Sequence, residues 1–309
     1  MTPEALTPEP PDRTRPAHCF FSEPNQYRAK VQRYSKAPPE LTVRRVSFER
    51  DMERYHRAYE NGQDRVTPSR RKRLPPETRD PEDIERARRR AQSKVRKLTT
   101  ELAPNHFVTF TTREAGPDYF TPEDWRAIWA RFIRLLHDAS IPFQYVGVLE
   151  PHKDNPAHLH LHVAWRGRVN YKILRRFWHI AICGHRGQRV AKTLYGADAP
   201  GNIQDRPVKA GRGSCASIFK IAKYIAKYMT KDLISEYNKK RYWTSKGLTL
   251  SEAETFWLSE LDHHQAIREA ASRLGYWSDD HPGGVLATTL MVVAGEVAWA
   301  RLDPEPPPF

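Results

Sequence analysis

The alternation of apolar and polar positions is clearest in the middle of the chain. Phe107-Val108-Thr109-Phe110-Thr111-Thr112 interleaves apolar residues with threonines, favours extended backbone and follows Pro104, which predicts a strand. Thr121 stands before Pro122, Glu123 and Asp124, the signature of a capped helix start. Behind it Trp125, Ile128, Trp129, Phe132, Leu135 and Leu136 recur at helical spacing and predict one core-facing stripe. Phe143 to Glu150 predicts a second strand, Lys153-Asp154-Asn155-Pro156 a turn, and His158 to Trp165 a third strand, so the two strands form a hairpin. Asn170 to Ile182 reads as a helix and Gly201 to Val208 as a strand. Ser214 to Leu233 reads as a long helix with the stripe Ile218, Ile221, Ala222, Ile225 and Met229. The order β-α-β-β-α-β plus a helix predicts the α+β class, a central antiparallel sheet with flanking helices in the split ferredoxin-like arrangement.

The ends are less regular. Residues 1–40 are rich in proline and poor in aliphatics, and 41–80 are charged, so 1–80 is expected to be an extended basic N-terminal tail, largely disordered. Residues 81–102 predict a helix with Glu82, Asp83 and Glu85 at its start and Arg86, Arg88, Arg89 and Arg90 after them, as the helix dipole prefers. After Tyr242 the pattern weakens to an expected helix near Glu252 to Leu274 and an apolar segment from Val285 to Leu302. The expected organisation is therefore the tail 1–80, one domain over 81–250, and a C-terminal extension 251–309 without an assigned role.

Charge narrows the partner. Lys and Arg number 51 against 37 Asp and Glu, a formal charge of +14, which favours a polyanion and above all nucleic acid. The run Arg70, Arg71, Lys72, Arg73 is suited to holding phosphates without sequence preference. Cys19, Cys183 and Cys215 are too few and too scattered for a zinc ribbon or a disulfide framework. No signal peptide is apparent, and the longest apolar run is broken by Glu296, so a cytoplasmic protein without membrane attachment is expected. No G-x-x-x-x-G-K-[ST] phosphate loop occurs.

Two constellations carry chemistry. In His158-Leu159-His160-Leu161-His162 the period of a strand puts three imidazoles on one face and the leucines on the other. Imidazoles two residues apart can converge on one divalent ion, and Glu150, across the hairpin, can add an oxygen ligand that shifts the preference toward Mg²⁺ or Mn²⁺. His152, in the turn, is expected to be a solvated loop residue. The second constellation is the helix segment Lys223-Tyr224-Ile225-Ala226-Lys227-Tyr228-Met229-Thr230-Lys231. Tyr224 and Tyr228 share one helix face, and Lys223, Lys227 and Lys231 form an adjacent stripe. A phenol attacks a phosphodiester when cations beside it stabilise the attacking oxygen. Either segment alone also fits a half-exposed strand or an ordinary amphipathic helix.

Together, the histidine strand followed by Tyr-x-x-Lys on a helix resembles the HUH endonuclease superfamily. The nearest likeness is to replication initiators of rolling-circle plasmids and single-stranded DNA phages, such as the filamentous-phage gene II proteins and the A proteins of icosahedral phages. The resemblance covers roughly 105–250, including Phe107–Thr112 and Arg241-Tyr242-Trp243-Thr244-Ser245-Lys246-Gly247. It implies the HUH fold, His160 and His162 as metal ligands with His158 as the alternative register, and Glu150 as the acidic ligand. Tyr224 and Tyr228 would be nucleophiles and Lys227 would assist them. It further implies a Mg²⁺ or Mn²⁺ cofactor, a nick in single-stranded DNA at a replication origin through a 5′-phosphotyrosine, and help from a host helicase and polymerase in a bacterial cytoplasm. Lys223 and Lys231 join Arg70–Arg73 as expected DNA contacts. The competing expectations are a relaxase or transposase of the same superfamily, a metal-dependent hydrolase, or a DNA-binding protein without catalysis. A tyrosine that follows the histidines favours the initiator.

Overall fold

The computed structural model describes residues 26–46, 81–113, 119–168, 170–185, 199–208, 214–227, 242–259, 262–278, 285–286, 288–294 and 297–302. In chain order the strands are β1 (Gln26–Gln32), β2 (Glu40–Arg45), β3 (His106–Thr112), β4 (Phe143–Pro151), β5 (Leu159–Gly167), β6 (Gly201–Pro207), β7 (Tyr242–Thr244), β8 (Glu254–Ser259), β9 (Trp277–Ser278), β10 (Val285–Leu286), β11 (Thr288–Ala294) and β12 (Val297–Leu302). The helices are α1 (Pro81–Leu102), α2 (Pro122–Asp138), α3 (Tyr171–His185), α4 (Ser214–Lys227) and α5 (His263–Arg273). The chain divides into two units, one comprising Pro75–Leu250 with Tyr34–Ala37 and the other comprising Met1–Arg33, Pro38–Leu74 and Ser251–Phe309.

The first unit is built on the antiparallel sheet β6-β3-β5-β4-β7. The four strands of the β-α-β-β-α-β succession lie in the order fourth, first, third, second, which is compatible with a split ferredoxin-like α+β fold. Strand periodicity separates two faces. On one, Phe110, Leu161, Val163, Trp165 and Ile203 pack against Trp125, Trp129 and Phe132 of α2 and Leu174 and Trp178 of α3. Thr121 starts α2 with the anticipated reciprocal cap: Asp124 N–H donates to Thr121 Oγ1 at 3.2 Å and Thr121 N–H to Asp124 Oδ2 at 2.8 Å. Helix α3 is tied to the sheet by Trp178 Nε1, which donates to the Thr111 carbonyl at 2.9 Å.

On the other face, Val146, Val148 and Ala164 meet Val95, Leu98 and Leu102 of α1, Ile225 and Ala226 of α4, and Tyr242 of β7. Helix α1 has no basic residue in its last turn. Arg166 of β5 supplies the cation instead, donating from Nη1 to the carbonyls of Leu102 (3.2 Å) and Ala103 (2.7 Å). Strand β7, which the apolar pattern did not predict, pairs with β4 through Tyr242, Trp243 and Thr244.

The second unit holds the sheet β11-β12-β2-β1-β8, with α5 on one face. Tyr27, Ala29, Val31, Leu41, Val43, Leu258, Ala298, Ala300 and Leu302 form its core with Ala266, Ile267 and Ala270 of α5. Two expectations are corrected here. Residues 26–32 and 40–45 are strands rather than part of a loose tail, because their apolar residues alternate with period two and β8 and β12 pair with them. The stretch expected as one helix from Glu252 begins as strand β8, since Thr255, Phe256 and Trp257 favour extended backbone, and α5 starts only at the Asp262 cap.

Candidate metal and nucleophile site

The register of the first unit's sheet assembles the site. Direct partners on antiparallel strands share a face, so the pairings generate rows that cross the sheet on the α1/α4 side. One row is Asn202, Thr111, His160 and Glu150 on β6, β3, β5 and β4. The next is Gln204, Thr109, His162 and Val148, ending on Tyr242 of β7. The third is Arg206, Phe107, Ala164 and Val146. Polarity thus falls along the strands, from a row of hydrogen-bonding groups to a row dominated by apolar ones.

His162 and Glu150 are buried, and His162 Nε2 lies 2.8 Å from Glu150 Oε2. On the other side of the ring, His162 Nδ1 lies 3.1 Å from Thr109 Oγ1. A hydroxyl both donates and accepts, so Thr109 holds the ring in place in either tautomer. His160 stands half-buried in the row beside it, its ring 6.5 Å from that of His162. Burial, with the imidazoles of His158, His152 and His162 around it, lowers the pKa of His160 to about 4, and only Glu150 acts in the opposite sense. Its imidazole is therefore neutral at neutral pH, the form that binds metals.

His158 lies just before β5, and its Nε2 is 3.0 Å from the carbonyl of Thr112. His152 departs from expectation. It is half-buried and its ring stands 5.0 Å from that of His160, because its N–H donates to the His158 carbonyl at 2.7 Å and closes the hairpin over the turn. The end of the sheet therefore carries four imidazoles and one carboxylate.

Among the described residues no three His, Cys, Asp or Glu side chains stand in positions that hold a metal ion as they are. The donor chemistry nonetheless suits one. Two ligands of an octahedral ion with bonds of about 2.1 Å stand roughly 3 Å apart, close to the 2.8 Å between His162 Nε2 and Glu150 Oε2. With nitrogen–metal bonds of about 2.1 Å, two rings at neighbouring positions of an octahedral ion have centroids roughly 4.6 Å apart, against 6.5 Å between His160 and His162. His160 therefore has to turn toward the His162–Glu150 pair to share an ion with it.

Tyr224 comes from α4, which buries Ala222, Ile225 and Ala226 and leaves Tyr224 43 % exposed. Its ring meets Phe107 edge-on at 5.2 Å, and Phe107 stacks on His162 at 5.7 Å. The phenol and the His162–Glu150 pair are thus linked through one buried aromatic ring, Phe107, which sequence reasoning had placed only as part of a strand. Lys223 and Lys227 are exposed on the same helix. Tyr228, Lys231 and the run Arg70, Arg71, Lys72, Arg73 lie outside the described residues.

Residues 105–233 match the model of a family described as replication-associated protein, ORF2/gene II protein type. The match takes in β3, the β4–β5 hairpin with Glu150, His152, His158, His160 and His162, and α4, and along it the chain is similar to that family. No curated protein and no solved structure matches the chain. Among the described residues no helix is long and apolar enough to cross a membrane.

Proposed function

We propose that the protein initiates rolling-circle replication by nicking single-stranded DNA at an origin and later rejoining it through a tyrosine. The observation that carries this reading is the exposed phenol of Tyr224, one aromatic ring from the buried His162–Glu150 pair that Thr109 holds in place, inside the stretch similar to replication-associated proteins. His160, His162 and Glu150 would hold Mg²⁺ or Mn²⁺, with His158 and His152 beside them. When bound, the ion polarises the scissile phosphate and offsets the charge that builds up in line with the attack.

The chain supplies the rest. The Tyr224 oxygen attacks phosphorus, the bond to the 3′ oxygen breaks, and that oxygen leaves as a 3′-hydroxyl after taking a proton. The 5′ end stays on the tyrosine as a phosphodiester. The phenol proton passes to a neighbouring base, and exposed Lys223 and Lys227 hold the phosphates of the flanking nucleotides. Tyr228, the second tyrosine of the sequence motif, would cut the regenerated origin while Tyr224 still holds the first 5′ end. The new 3′-hydroxyl then attacks the first phosphotyrosine and closes a circle. Each step exchanges one phosphodiester for another, so no nucleotide hydrolysis is needed. Polymerase and helicase would come from the host cell.

The test incubates the protein with Mn²⁺ and single-stranded oligonucleotides covering its own replicon and looks for a DNA adduct that survives denaturation. The expected result is an adduct that persists in each of Tyr224→Phe and Tyr228→Phe, disappears in the double variant, and is lost in His160→Ala. Tight binding of the origin strand without any adduct would point instead to a DNA-binding module. Cleavage without an adduct would point to water as the nucleophile.

A further inference from the structure

Strand β6 is the outer strand of the first unit's sheet, and its two faces carry different chemistry. Ile203 is buried toward α2 and α3. Asp205, the strand's one acid, faces the same way, and both of its carboxylate oxygens lie 3.0 Å from His106 Nδ1. Asn202, Gln204 and Arg206 occupy the alternate positions and stand on the face that carries Glu150, His160 and His162. All three are exposed. Thr111 Oγ1 donates to the backbone carbonyl of Asn202 at 3.4 Å, but among the described residues none of the three side chains has a hydrogen-bond or ion-pair partner.

Between this row and the histidines, β3 presents Thr109 and Thr111, whose short side chains leave the sheet surface low. Helices α1 and α4 rest on β4 and β5. Arg206 is the direct partner of Phe107, whose ring meets that of Tyr224. With neighbouring strands about 4.8 Å apart, Asn202 and Gln204 stand roughly 10 Å from His160 and His162 along their rows. A solvated edge strand needs charge or proline to turn other strands away, and Arg206 with Pro207 meets that need. It does not need amides, and asparagine is disfavoured in strands. Amides and guanidinium are, however, the groups that read base edges: Asn and Gln offer a donor and an acceptor to adenine, and Arg two donors to guanine. Alternate strand residues are about 7 Å apart, against about 3.4 Å between stacked nucleotides. The three heads are therefore spaced for a single strand drawn out of its stack rather than for a duplex. With Asp205 on the opposite face, no carboxylate of β6 repels the phosphates.

We propose that Asn202, Gln204 and Arg206 are specificity-determining residues that read the bases beside the nick. The strand lies over Thr109 and Thr111, along β6, so that its scissile phosphate reaches Tyr224 and the His162–Glu150 pair. The inference deepens the nicking reading and rests on it for the placement of the strand.

The test presents the full-length protein with a pool of single-stranded DNA of randomised sequence, in two arms. In EDTA, strands that the protein retains on a filter are sequenced; with Mn²⁺, strands still attached after denaturation are sequenced. In both arms the wild type should enrich one short sequence, and changing its bases one at a time gives the discrimination at each position. Asn202→Ala and Gln204→Ala should each flatten the preference at one position, by about fivefold or more, and leave the other positions as they were. Arg206→Gln should do the same at a third position, and Arg206→Lys, which keeps the charge but not the fork, should not restore it. Circular dichroism checks that these variants at exposed positions stay folded. Enrichment in EDTA with no adduct in Mn²⁺ would overturn the nicking reaction, and the EDTA arm would still decide whether β6 reads bases. The proposal for β6 is refuted if the folded variants keep the wild-type preference at every position, if they weaken all sequences equally, or if the wild type enriches no sequence.

Discussion

Gly201 is the residue on which the edge of the first unit's sheet depends most sharply. It opens β6 beside Thr112 of β3, and a methyl group placed on it would run into the Thr111 carbonyl oxygen. It would also stand 2.8 Å from Ile182 Cδ1 and 3.0 Å from Trp178 Nε1. That carbonyl accepts the Trp178 indole at 2.9 Å, the Gly201 carbonyl lies 3.1 Å from His179 Nε2, and Arg113 N–H donates to Pro200 O at 2.7 Å. Gly201→Ala must therefore push β6 away from β3 and α3 and weaken these three bonds together. Three bonds at about 1 kcal/mol each and overpacking of about 1–3 kcal/mol, less up to about 1 kcal/mol gained by stiffening the unfolded chain, leave a loss of roughly 3–6 kcal/mol. Gly247 provides the control, with φ +81° and no atom within 4 Å of where a methyl would stand, so Gly247→Ala should cost only about 1 kcal/mol of backbone strain. Urea unfolding followed by far-ultraviolet circular dichroism compares the two. If Gly201→Ala costs no more than Gly247→Ala, the close approach of β6, β3 and α3 is not what holds this edge.

Three further outcomes follow from the site and its supports. Phe107→Leu keeps most of the buried volume but removes the ring contacts to Tyr224 and His162, worth about 0.5–1.5 kcal/mol each; under the proposed mechanism adduct formation per folded molecule should fall, and an unchanged rate would remove Phe107 from any path between the phenol and the His162–Glu150 pair. Thr109→Val takes away the hydroxyl that orients His162, so Mn²⁺ affinity measured by calorimetry should drop by roughly tenfold or more while the fold persists; an unaltered affinity would show that the ring needs no such partner. Arg166→Met deprives the carbonyls of Leu102 and Ala103 of their charged donor and should destabilise the unit by about 1.5–3 kcal/mol in denaturant unfolding; a loss within about 0.5 kcal/mol would mean that water caps α1 equally well.

What the sequence made legible were features fixed by neighbours along the chain. The Thr121–Asp124 cap, the stripe of α2 and the shared face of His160 and His162 all follow from helical or strand periods. Glu150 opposite His160 required only a hairpin closed at the Asn155-Pro156 turn. The same closure brings His152 to His160, yet a residue flanking a turn gives no period to read, so it passed for a solvated loop residue. Phe107 reads as an ordinary strand aromatic until the pairing with β5 reveals the imidazole it stacks on. Strands β1 and β2 carried their alternation openly, in Tyr27, Ala29 and Val31 and in Leu41 and Val43. Their partners β8 and β12 lie at the far end of the chain, and no local pattern reports a pairing over that separation.

The position of Tyr224 follows from where the apolar rows of the sheet end. Val146, Val148 and Ala164 provide the surface that α1 and α4 cover, and α4 commits Ala222, Ile225 and Ala226 to it. In the row that Val148 shares, Thr109 and His162 already replace apolar partners, and beyond them Thr111, His160 and Glu150 hold no apolar side chain. A helix gains nothing by extending over such a row, because burying unpaired polar groups costs more than the apolar area it covers returns. Tyr224, adjacent in the helix to the buried pair Ile225 and Ala226, therefore emerges at the boundary, with its ring against Phe107, the last large apolar side chain before the histidines. Moving that boundary by one row, through His162→Leu for example, would bury the phenol or displace the helix. In either event Tyr224 would lose its exposure, a change that selective nitration of the tyrosine can measure.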